Sequence, residues 1–402
     1  MMKKKLKDVC DFYSGTGFPT QYQGDIEGDY PFYKVSDIAN NATAGKVYLE
    51  LCNNYISMDV AKKIKGCILP KDTVVFAKIG EALKLNRRAI TSCNCLIDNN
   101  AMGIAPRLDL LSIMYFYFFM KNLNMQMFAE STTVPSVRKT VLEDYEIEVP
   151  TLNEQKKIER KLVLLQEIVE RRKQELSALD YLIKARFVEL FGDITTGSYK
   201  YETKKLGDVA NVGSSHRVFT TEFVDSGIPF YRGTEIGELA NGLKPTKTYY
   251  ISEQHYNRLT SDDTKPQIGD LLMPSICNKG QVWMVNTDEP FYYKDGRVLC
   301  ISPNKKIFNT KYLEYFMRAK TLIEYPKLGS GSTFAEFKIF SVKDMDVLIP
   351  PREVQKRFAD FVNQIDKSKV LSETHIFYAE KSITPTTTKI FLKGRCIYGN
   401  EF

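Results

Sequence analysis

A long stripe of apolar residues follows Pro150, at spacings of three and four residues that are typical of one face of an α-helix. Ahead of it, Thr151-x-x-Glu154 has the form of an N-terminal capping box, and Gly192 stands where helices commonly end. The pattern predicts a helix within 151–193 that measures about 58 Å at roughly 1.5 Å per residue. The stripe consists of Ile158, Leu162, Leu165, Val169, Leu176, Leu179, Ile183 and Leu190.

A helix of this length extends beyond the core of a small domain, and a second stripe of the same phase begins after residue 351. Pro351 suits the first position of a helix. We expect the two helices to pair as an antiparallel coiled coil. The alternative is two unrelated helices that each pack on their own domain. The apolar residues expected to pair from the second helix are Phe358, Val362 and Ile365, preceded by Val354.

The second helix is predicted to be shorter than the first, over 351–383. Its stripe loses regularity from Val370 onwards. Pro385 is expected to end any helix, because proline lacks the amide hydrogen that a helix interior requires. The tail 384–402 is atypical and resembles no part of the first copy.

Short motifs recur along the chain at a nearly constant offset of 195–200 residues. Their common order indicates a tandem duplication of one unit of about 200 residues, and hence a pseudo-twofold molecule that presents one kind of surface twice. The matched motifs are Leu6-x-Asp8-Val9 with Leu206-x-Asp208-Val209, Pro31-Phe32-Tyr33 with Pro229-Phe230-Tyr231, Tyr55-Ile56-Ser57 with Tyr250-Ile251-Ser252, Ile104-x-Pro106 with Ile301-x-Pro303, and Gln155-Lys156 with Gln355-Lys356.

Each copy contains a region of mixed character before its helix, over 1–150 and 194–350. Short β-rich runs alternate there with Gly, Asn and Asp turns. One further helix is predicted in each copy, over Leu110–Asn122 and Thr310–Lys320, and the first is apolar nearly all round, which favours a buried helix. The predicted fold class is α+β: two tandem mixed α/β domains, separated and followed by long helices that pair as an antiparallel coiled coil.

Charge and hydropathy narrow the class of protein. Lys and Arg exceed Asp and Glu by 56 to 49, and the net charge of +7 is compatible with a polyanionic partner. The longest apolar run, Ile113–Met120, is far shorter than the ~20 residues that cross a bilayer. Asp8 interrupts the basic N-terminus where a secretory signal would be apolar. We therefore expect no membrane association and a cytoplasmic location.

Motifs for catalysis and cofactors are missing from the sequence. The eight cysteines include no Cys-x-x-Cys pair, and there are only three histidines, so no metal site is predicted. The chain has no Gly-x-x-x-x-Gly-Lys-Ser/Thr phosphate loop and no glycine-rich cofactor strand. Glu159-x-Lys161 and Glu336-x-Lys338 match half of a nuclease motif, which a charged sequence produces by chance. We predict a non-catalytic protein without catalytic residues, cofactors or metals.

Nucleic-acid binding is better supported, because basic residues cluster with amides and small hydroxyls in the predicted loops. Reading a base edge needs directed donors, Arg or Lys for guanine and Asn or Gln for adenine, whereas a phosphate needs only a cation or a short donor. Taken singly, each residue could be a solvated surface charge. The DNA-binding candidates are Lys34, Lys78, Lys84, Asn86, Arg87, Arg88, Thr133, Arg138, Ser215, Arg217, Arg232, Asn278, Lys279, Gln281, Arg297, Thr333 and Lys338.

One of these basic sites recurs in both copies. Thr132-Thr133 precedes Arg138, and Ser332-Thr333 precedes Lys338 at the same distance. A hydroxyl loop that leads into a cation suits contact with a DNA backbone, and a helix cap is the alternative. The segment 84–88, by contrast, has no evident counterpart in the second copy, so we expect one scaffold that serves two different targets.

The order of the parts resembles the specificity subunit of Type I restriction–modification enzymes, in which a variable domain and a Pro-x-x-x-x-Gln-Lys helix start occur twice. The resemblance covers about residues 5–370. It is carried by Val149-Pro150-Thr151-Leu152-Asn153-Glu154-Gln155-Lys156-Lys157-Ile158, Ile349-Pro350-Pro351-Arg352-Glu353-Val354-Gln355-Lys356, Lys184-Ala185-Arg186-Phe187-Val188-Glu189-Leu190-Phe191-Gly192-Asp193 and the Leu-x-Asp-Val opening of each copy.

The resemblance implies that each globular part is a target recognition domain that reads one half of a split DNA sequence. It implies that the paired helices set the distance between the halves and dock methyltransferase (M) subunits, on which endonuclease/translocase (R) subunits assemble. Methyl-donor and ATP chemistry would belong to these partners, and the remaining partner is double-stranded DNA. The tail 384–402 departs from the family pattern, which suggests altered docking of a second methyltransferase.

Three other interpretations stay open at this stage. The chain could be a silent or truncated specificity cassette without an active complex. It could be an enzyme with a nuclease or methylase activity of its own. It could also be a coiled-coil scaffold that binds only protein.

Overall fold

The computed structural model describes residues 2–129, 135–262, 264–328 and 335–391, with side chains as far as Ile383. The chain divides into two compact units. The first comprises the described residues of Met1–Glu175 and Leu371–Phe402, and the second those of Leu176–Val370. Each unit contains one mixed domain and a part of each of two long helices, which confirms the predicted α+β class with tandem domains.

The first domain is built from short helices and strands and is followed by a long helix. In chain order they are β1 (Met2–Lys5), α1 (Leu6–Val9), β2 (Cys10–Ser14), β3 (Tyr30–Tyr33), α2 (Val35–Thr43), β4 (Tyr48–Leu49), β5 (Tyr55–Ile56), α3 (Met58–Lys63), β6 (Val74–Ala77), α4 (Glu81–Lys84), β7 (Ala89–Thr91), β8 (Leu96–Ile97), β9 (Ala101–Pro106), α5 (Ile113–Asn122), α6 (Lys139–Glu143), β10 (Glu146–Val149) and the long helix α7 (Leu152–Phe191).

The second domain repeats this series after a short two-stranded link. Its elements are β11 (Gly192–Asp193), β12 (Ser198–Tyr199), β13 (Thr203–Lys205), α8 (Leu206–Val209), β14 (Ala210–Gly213), β15 (Ile228–Tyr231), α9 (Gly233–Ala240), β16 (Tyr249–Ile251), α10 (Glu253–Leu259), β17 (Leu271–Pro274), β18 (Trp283–Met284), β19 (Tyr292–Tyr293), β20 (Val298–Pro303), α11 (Thr310–Glu324), α12 (Ile339–Lys343), β21 (Asp346–Leu348) and the long helix α13 (Arg352–Phe391). Short 3-10 helices occupy Thr20–Tyr22, Met125–Phe128, Thr220–Glu222 and Tyr325–Leu328.

The two domains share one sheet topology, except that the large sheet of the first has an additional edge strand, β4. The first has one sheet of order β2–β9–β6–β7–β4 and another of order β5–β3–β8, and the second has β14–β20–β17–β18 and β16–β15–β19. In each small sheet the central strand pairs antiparallel with one neighbour and parallel with the other. The opening strand pairs with the last strand in both domains, β1 with β10 and β13 with β21. The duplication inferred from the motifs is therefore a duplication of fold.

Continuous apolar runs form the centre of each domain. All side chains of β6 and β9 are buried, as expected for central strands that are covered on both faces. Helix α5 buries six successive side chains, Tyr115–Met120, which confirms the buried helix predicted there. The Tyr115 hydroxyl donates to the carbonyl of Glu148 at 3.0 Å, and the Tyr312 hydroxyl of α11 donates to that of Leu348 at 3.1 Å.

The predicted stripe of α7 is buried in part against α13 and in part against the domain cores. In the first unit, Ile158 and Leu162 pack in the core of the first domain together with Ile383. In the second unit, Ile183 packs in one cluster with Phe358, Val362 and Ile365 of α13. Val169 is buried, whereas Leu165, Leu176 and Leu179 are half-buried.

The two long helices contact each other within each unit, and in the second unit the order of the contacts shows that they run antiparallel. In the first unit the Lys173 ammonium lies 3.6 Å from a carboxylate oxygen of Glu380. In the second unit Lys369 pairs with Asp180, and the rings of Phe187 and Phe358 meet edge to face with centroids 5.4 Å apart. Partner numbers fall along α13 as they rise along α7, as antiparallel pairing requires.

A buried glutamine fastens the start of each long helix to its own domain. Gln155 donates to the carbonyls of Leu110 at 2.8 Å and Pro150 at 2.9 Å, and it accepts from the amide of Ser112 at 2.8 Å. Gln355 has the equivalent contacts in the second domain. It donates to the carbonyls of Ile307 at 3.0 Å and Pro350 at 2.7 Å, and it accepts from the amide of Asn309 at 2.7 Å.

Both glutamines have no solvent exposure, so every polar atom of the amide needs a partner within the protein. The lysine that follows each of them, Lys156 or Lys356, is exposed. The recurring Gln-Lys pair therefore has a structural explanation for its first member, which joins the helix to the segment that precedes α5 or α11.

The predicted end of the second helix at residue 383 is wrong. Helix α13 runs from Arg352 to Phe391 and has 40 residues, the same length as α7. Pro385 lacks an amide hydrogen, so the helix loses one intrahelical hydrogen bond there. This loss destabilises the helix without ending it at this residue. Ser372 and Ala379 are buried, so the apolar stripe is replaced there by small side chains.

The prediction of a DNA contact is wrong for Arg88, because its side chain is inside the first domain. Arg88 is 3% exposed and lies over the Phe76 ring with the guanidinium carbon 4.9 Å from the centroid. It donates to the carbonyl of Arg87 at 2.8 Å and to the side-chain oxygen of Asn86 at 2.7 Å. Burial lowers the pKa of this guanidinium.

We predict that Gln155→Leu destabilises the chain by about 3 kcal/mol, since it leaves buried carbonyl and amide groups without partners. Gln355→Leu should have a similar effect through the second copy. The free energy of unfolding from chemical denaturation measures both. Lys156→Leu is the matched control and should change stability by less than ~0.5 kcal/mol. Equal losses for Gln155→Leu and Lys156→Leu would contradict the anchoring role.

We also predict that Arg88→Leu lowers the stability of the first domain by about 2–4 kcal/mol, because the partners of a buried guanidinium lose their hydrogen bonds. The same substitution at the half-buried neighbour, Arg87→Leu, should cost less than ~1 kcal/mol. Thermal unfolding compares the two variants. An Arg88 variant that unfolds like the wild type would show that the side chain is dispensable to the core.

Candidate nucleic-acid interface

Several predicted basic residues of the second domain surround the loop that joins β19 to β20. Three backbone hydrogen bonds fix this loop: the Lys294 amide donates to the Tyr231 carbonyl at 2.9 Å, the Ser275 amide to the Arg297 carbonyl at 2.9 Å, and the Phe337 amide to the Ser275 carbonyl at 2.7 Å. We name these five residues the second hub. It brings together segments that are distant in sequence.

The first domain contains the same arrangement between β8 and β9. The Asp98 amide donates to the Tyr33 carbonyl at 3.0 Å, the Lys78 amide to the Asn100 carbonyl at 2.8 Å, and the Val137 amide to the Lys78 carbonyl at 2.9 Å. These five residues form the first hub. The same backbone positions therefore meet in both domains and carry different side chains.

Six of the predicted residues lie in the hubs or directly beside them in sequence. The first hub has Lys78, with Lys34 following Tyr33 and Arg138 following Val137. The second hub has Arg297, with Arg232 following Tyr231 and Lys338 following Phe337, and it also contains Lys294 where the first hub has Asp98.

A carboxylate organises the cations of the second hub. Glu336 accepts from a terminal nitrogen of Arg297 at 2.7 Å and from the hydroxyl of Ser275 at 3.4 Å, and it also pairs with the Lys338 ammonium. The hydrogen bond from Lys338 lowers the pKa of this carboxyl, so it is ionised at neutral pH. Ionised Glu336 holds two cations close together at an exposed surface.

The residue that precedes α9 or α2 donates its backbone amide to an acid in the first turn of that helix. The Arg232 amide donates to a Glu235 carboxylate oxygen at 2.8 Å, and the guanidinium donates to the same carboxylate at 2.9 Å while lying 4.2 Å from the centroid of the Tyr249 ring. The hydrogen bond to Glu235 raises the pKa of Arg232. In the first domain the Lys34 amide donates to Asp37 at 2.8 Å in the same way, whereas the Lys34 ammonium donates to the side-chain oxygen of Gln23 at 2.6 Å.

The segment 214–217 packs on the loop of the second hub. The Ser215 hydroxyl donates to the Tyr293 carbonyl at 2.5 Å, which uses the donor that the sequence assigned to DNA. Arg217 donates through Nε to Asp295 at 3.2 Å, and its side chain is 69% exposed. Arg217 is therefore available at this surface, whereas Ser215 has a structural role.

The remaining candidates are not brought to the hubs by any side-chain hydrogen bond among the described residues. Lys84 pairs with Glu81 at 2.5 Å, Asn86 accepts from Arg88 and from the amide of Met125, and the Lys279 amide donates to Gln281 at 2.9 Å. Arg87 is half-buried and Asn278 is exposed. Thr133 and Thr333 lie outside the described residues.

Sequence reasoning missed three residues of this surface, Asn100, Lys294 and Glu336. The signal for Asn100 was present, since the offset of 197 that matches Ile104 to Ile301 also matches Asn100 to Arg297. Glu336 was noticed only as half of a chance nuclease motif. Its role depends on contacts between loops, which spacing does not reveal.

No cluster of three or more His, Cys, Asp or Glu side chains suited to a metal ion occurs within the described ranges. Those ranges also contain no helix with the length and apolar character of a membrane span. The exposed pair His216–Asp262 has a nitrogen–oxygen distance of 2.6 Å, and this hydrogen bond lowers the pKa of Asp262 to about 2.

Known proteins are similar to this one over nearly the whole chain. A curated relative, the Type I restriction enzyme MjaIX specificity subunit of Methanocaldococcus jannaschii, is 22% identical over 405 residues and covers 94% of this chain and 89% of its own. The crystal structure of a Type I restriction–modification S subunit from M. genitalium has a TM-score of 0.55 and 14% identity, covering 97% of this chain and 96% of that one.

A second solved structure, described as the structural basis of complex assembly and conformational transition of the Type I system, has a TM-score of 0.58 and 17% identity, with 97% of each chain covered. The sequence profile described as the Type I restriction modification DNA specificity domain matches twice, over residues 1–178 and 199–376. Two matches of this extent account for most of the chain, as the duplicated fold requires. The chain therefore belongs to the family of Type I restriction–modification DNA specificity subunits.

Proposed function

We propose that this specificity subunit recognises a bipartite sequence in double-stranded DNA, with one half-site for each domain. The observation that supports this best is the pair of hubs. Equivalent backbone positions meet in both domains, with three cations in or beside the first hub and four in or beside the second, while the side chains differ. A common cationic frame suits phosphate contact, and different side chains on that frame suit different half-sites.

The long helices would set the distance between the half-sites and dock the M subunits, on which R subunits assemble. The chain itself would be non-catalytic and would use no cofactor, with base methylation and DNA cleavage carried out by those partners. The proposed place of action is the cytoplasm, where the DNA target is found. The contacts between the two long helices within each unit support this proposed role.

We predict that Arg138→Ala and Lys338→Ala each weaken DNA binding by the full chain and reduce the slope of log affinity against log salt by about 0.9, the contribution of one phosphate contact. Wild-type binding should fall steeply between about 50 and 200 mM salt. Fluorescence anisotropy with a labelled duplex measures both quantities. Binding should be tested for the chain alone and in complex with a Type I methyltransferase subunit.

The charge-preserving variants Arg138→Lys and Lys338→Arg serve as controls and should keep the wild-type salt slope. Salt-independent retention of DNA would contradict phosphate contact. Retention of the methyltransferase without any DNA binding would favour the protein scaffold. Cleavage or methylation of DNA by the chain alone, given metal ion and methyl donor, would contradict the non-catalytic assignment.

We predict that removing two turns from both long helices shortens the gap between the half-sites by about three base pairs. Deleting 171–177 together with 374–380 removes seven residues from each helix, or about 10 Å at roughly 1.5 Å per residue. Both segments contain one member of the Lys173–Glu380 pair, so the deletion is matched across the antiparallel helices. Sequencing of sites methylated by the assembled complex gives the gap.

The matched variant duplicates the same two segments and should lengthen the gap by the same amount. Each half-site should keep its sequence in both variants, because neither domain is altered. An unchanged gap in an active complex would contradict the proposed spacer role of the helices.

A further inference from the structure

One hub position differs between the domains in the type of base-reading side chain that it carries. Asn100 and Arg297 occupy equivalent positions. The carbonyl of each accepts a hydrogen bond from the amide of the residue that directly follows β6 or β17, which is Lys78 or Ser275. Both side chains are exposed. Arg and Asn differ in the base edge that they fit: arginine donates twice to guanine O6 and N7, and asparagine pairs twice with adenine N6 and N7.

The two cations that flank each hub in sequence do not change in this way. Arg138 in the first domain corresponds to Lys338 in the second, and Lys34 corresponds to Arg232. Replacement of one cation by another preserves phosphate contact, which requires charge and little directionality. Exchange of an amide for a guanidinium changes the pattern of donors and acceptors. Within the hubs, position 100/297 therefore carries directional information that these flanking cations do not.

The guanidinium of Arg297 is oriented by the carboxylate of Glu336. Glu336 accepts from one terminal nitrogen of the guanidinium at 2.7 Å, while the Arg297 side chain stays 59% exposed. Glu336 is itself fixed by Ser275 and Lys338, and only a fifth of its side chain is exposed. A guanidinium fixed at one nitrogen loses less conformational entropy when its remaining donors bind a base.

Asn100 is ordered by its backbone instead. Its amide donates to the side chain of Asp98 at 2.9 Å, and its carbonyl accepts from Lys78 at 2.8 Å. The residue equivalent to Glu336 at the offset of 200 is Ser136, which provides no carboxylate for a cation. The first hub thus has no counterpart of the carboxylate that orients Arg297.

We propose that position 100/297 is a base-reading position, at which Arg297 selects a guanine in the second half-site and Asn100 selects an adenine in the first. This inference rests on the proposed recognition of DNA by both domains. Glu336 acts as a positioning residue for Arg297 and does not itself contact the base.

The test is selection from a pool of duplexes with randomised positions, using the full chain alone and with a Type I methyltransferase subunit. Arg297→Asn should abolish or convert the preference for one guanine in the second half-site, lowering discrimination there by about five- to hundredfold. The first half-site should keep its sequence. Asn100→Arg should reciprocally replace one adenine by guanine in the first half-site only.

Arg217→Asn is the matched control, because Arg217 is an exposed arginine beside the same hub that lies outside position 100/297. It should weaken binding to all selected duplexes alike. Glu336→Ala releases Arg297 without removing it and should reduce the preference for the same guanine, an effect that a purely structural carboxylate would not have. Circular dichroism confirms that each variant is folded.

The outcomes distinguish failure of the proposed DNA recognition from failure of the base assignment at position 100/297. A folded wild-type chain that selects no sequence in either form would overturn the proposed function, and the base assignment with it. A wild type that selects a bipartite sequence, with an Arg297→Asn variant that selects the same bases at every position, would overturn the base assignment alone. A uniform loss of affinity like that of Arg217→Asn would also overturn it, since it would indicate phosphate contact.

Discussion

The buried glutamine at the start of each long helix is the contact on which the architecture depends. Gln155 and Gln355 have no solvent exposure, and each joins three backbone groups, two carbonyls and one amide. An uncharged amide can donate two hydrogen bonds and accept one at the same time, whereas a hydroxyl has a single hydrogen to donate. The contact ties the first turn of the helix to the segment before the apolar helix of the same domain, and so fixes the direction in which the helix leaves its domain.

At the candidate nucleic-acid interface, too, hydrogen bonds to the backbone fix the local structure. Backbone hydrogen bonds hold the loop, so the side chains are not required for its shape and are able to differ between the copies. Lys78 and Asn100 in one domain correspond to Ser275 and Arg297 in the other, so this pair of positions keeps one cation while its place changes. Asp98 corresponds to Lys294, which adds a further cation to the second hub. A rigid frame with replaceable side chains is what one scaffold needs for two targets.

Helix periodicity, the duplication and the buried helix α5 could be predicted from the sequence, because each depends on local spacing or on comparison of the copies. The end of α13 could not, since the preference of Pro385 for a helix end was outweighed. Arg88 looked like a surface cation because a sequence of charges does not show which one is stacked on Phe76. The hubs depend on hydrogen bonds between loops far apart in the chain, for which no sequence pattern exists.

Hydrogen exchange at two backbone amides tests the anchoring contact most directly. Ser112 and Asn309 precede the first turns of α5 and α11, where an amide has no partner within the helix, and each donates to the buried glutamine instead. We predict slow exchange at both amides in the wild-type chain, comparable to that of the helix interiors, when measured by mass spectrometry at single-residue resolution. Rapid exchange at either amide would show that the glutamine contact does not hold in solution and would contradict the account.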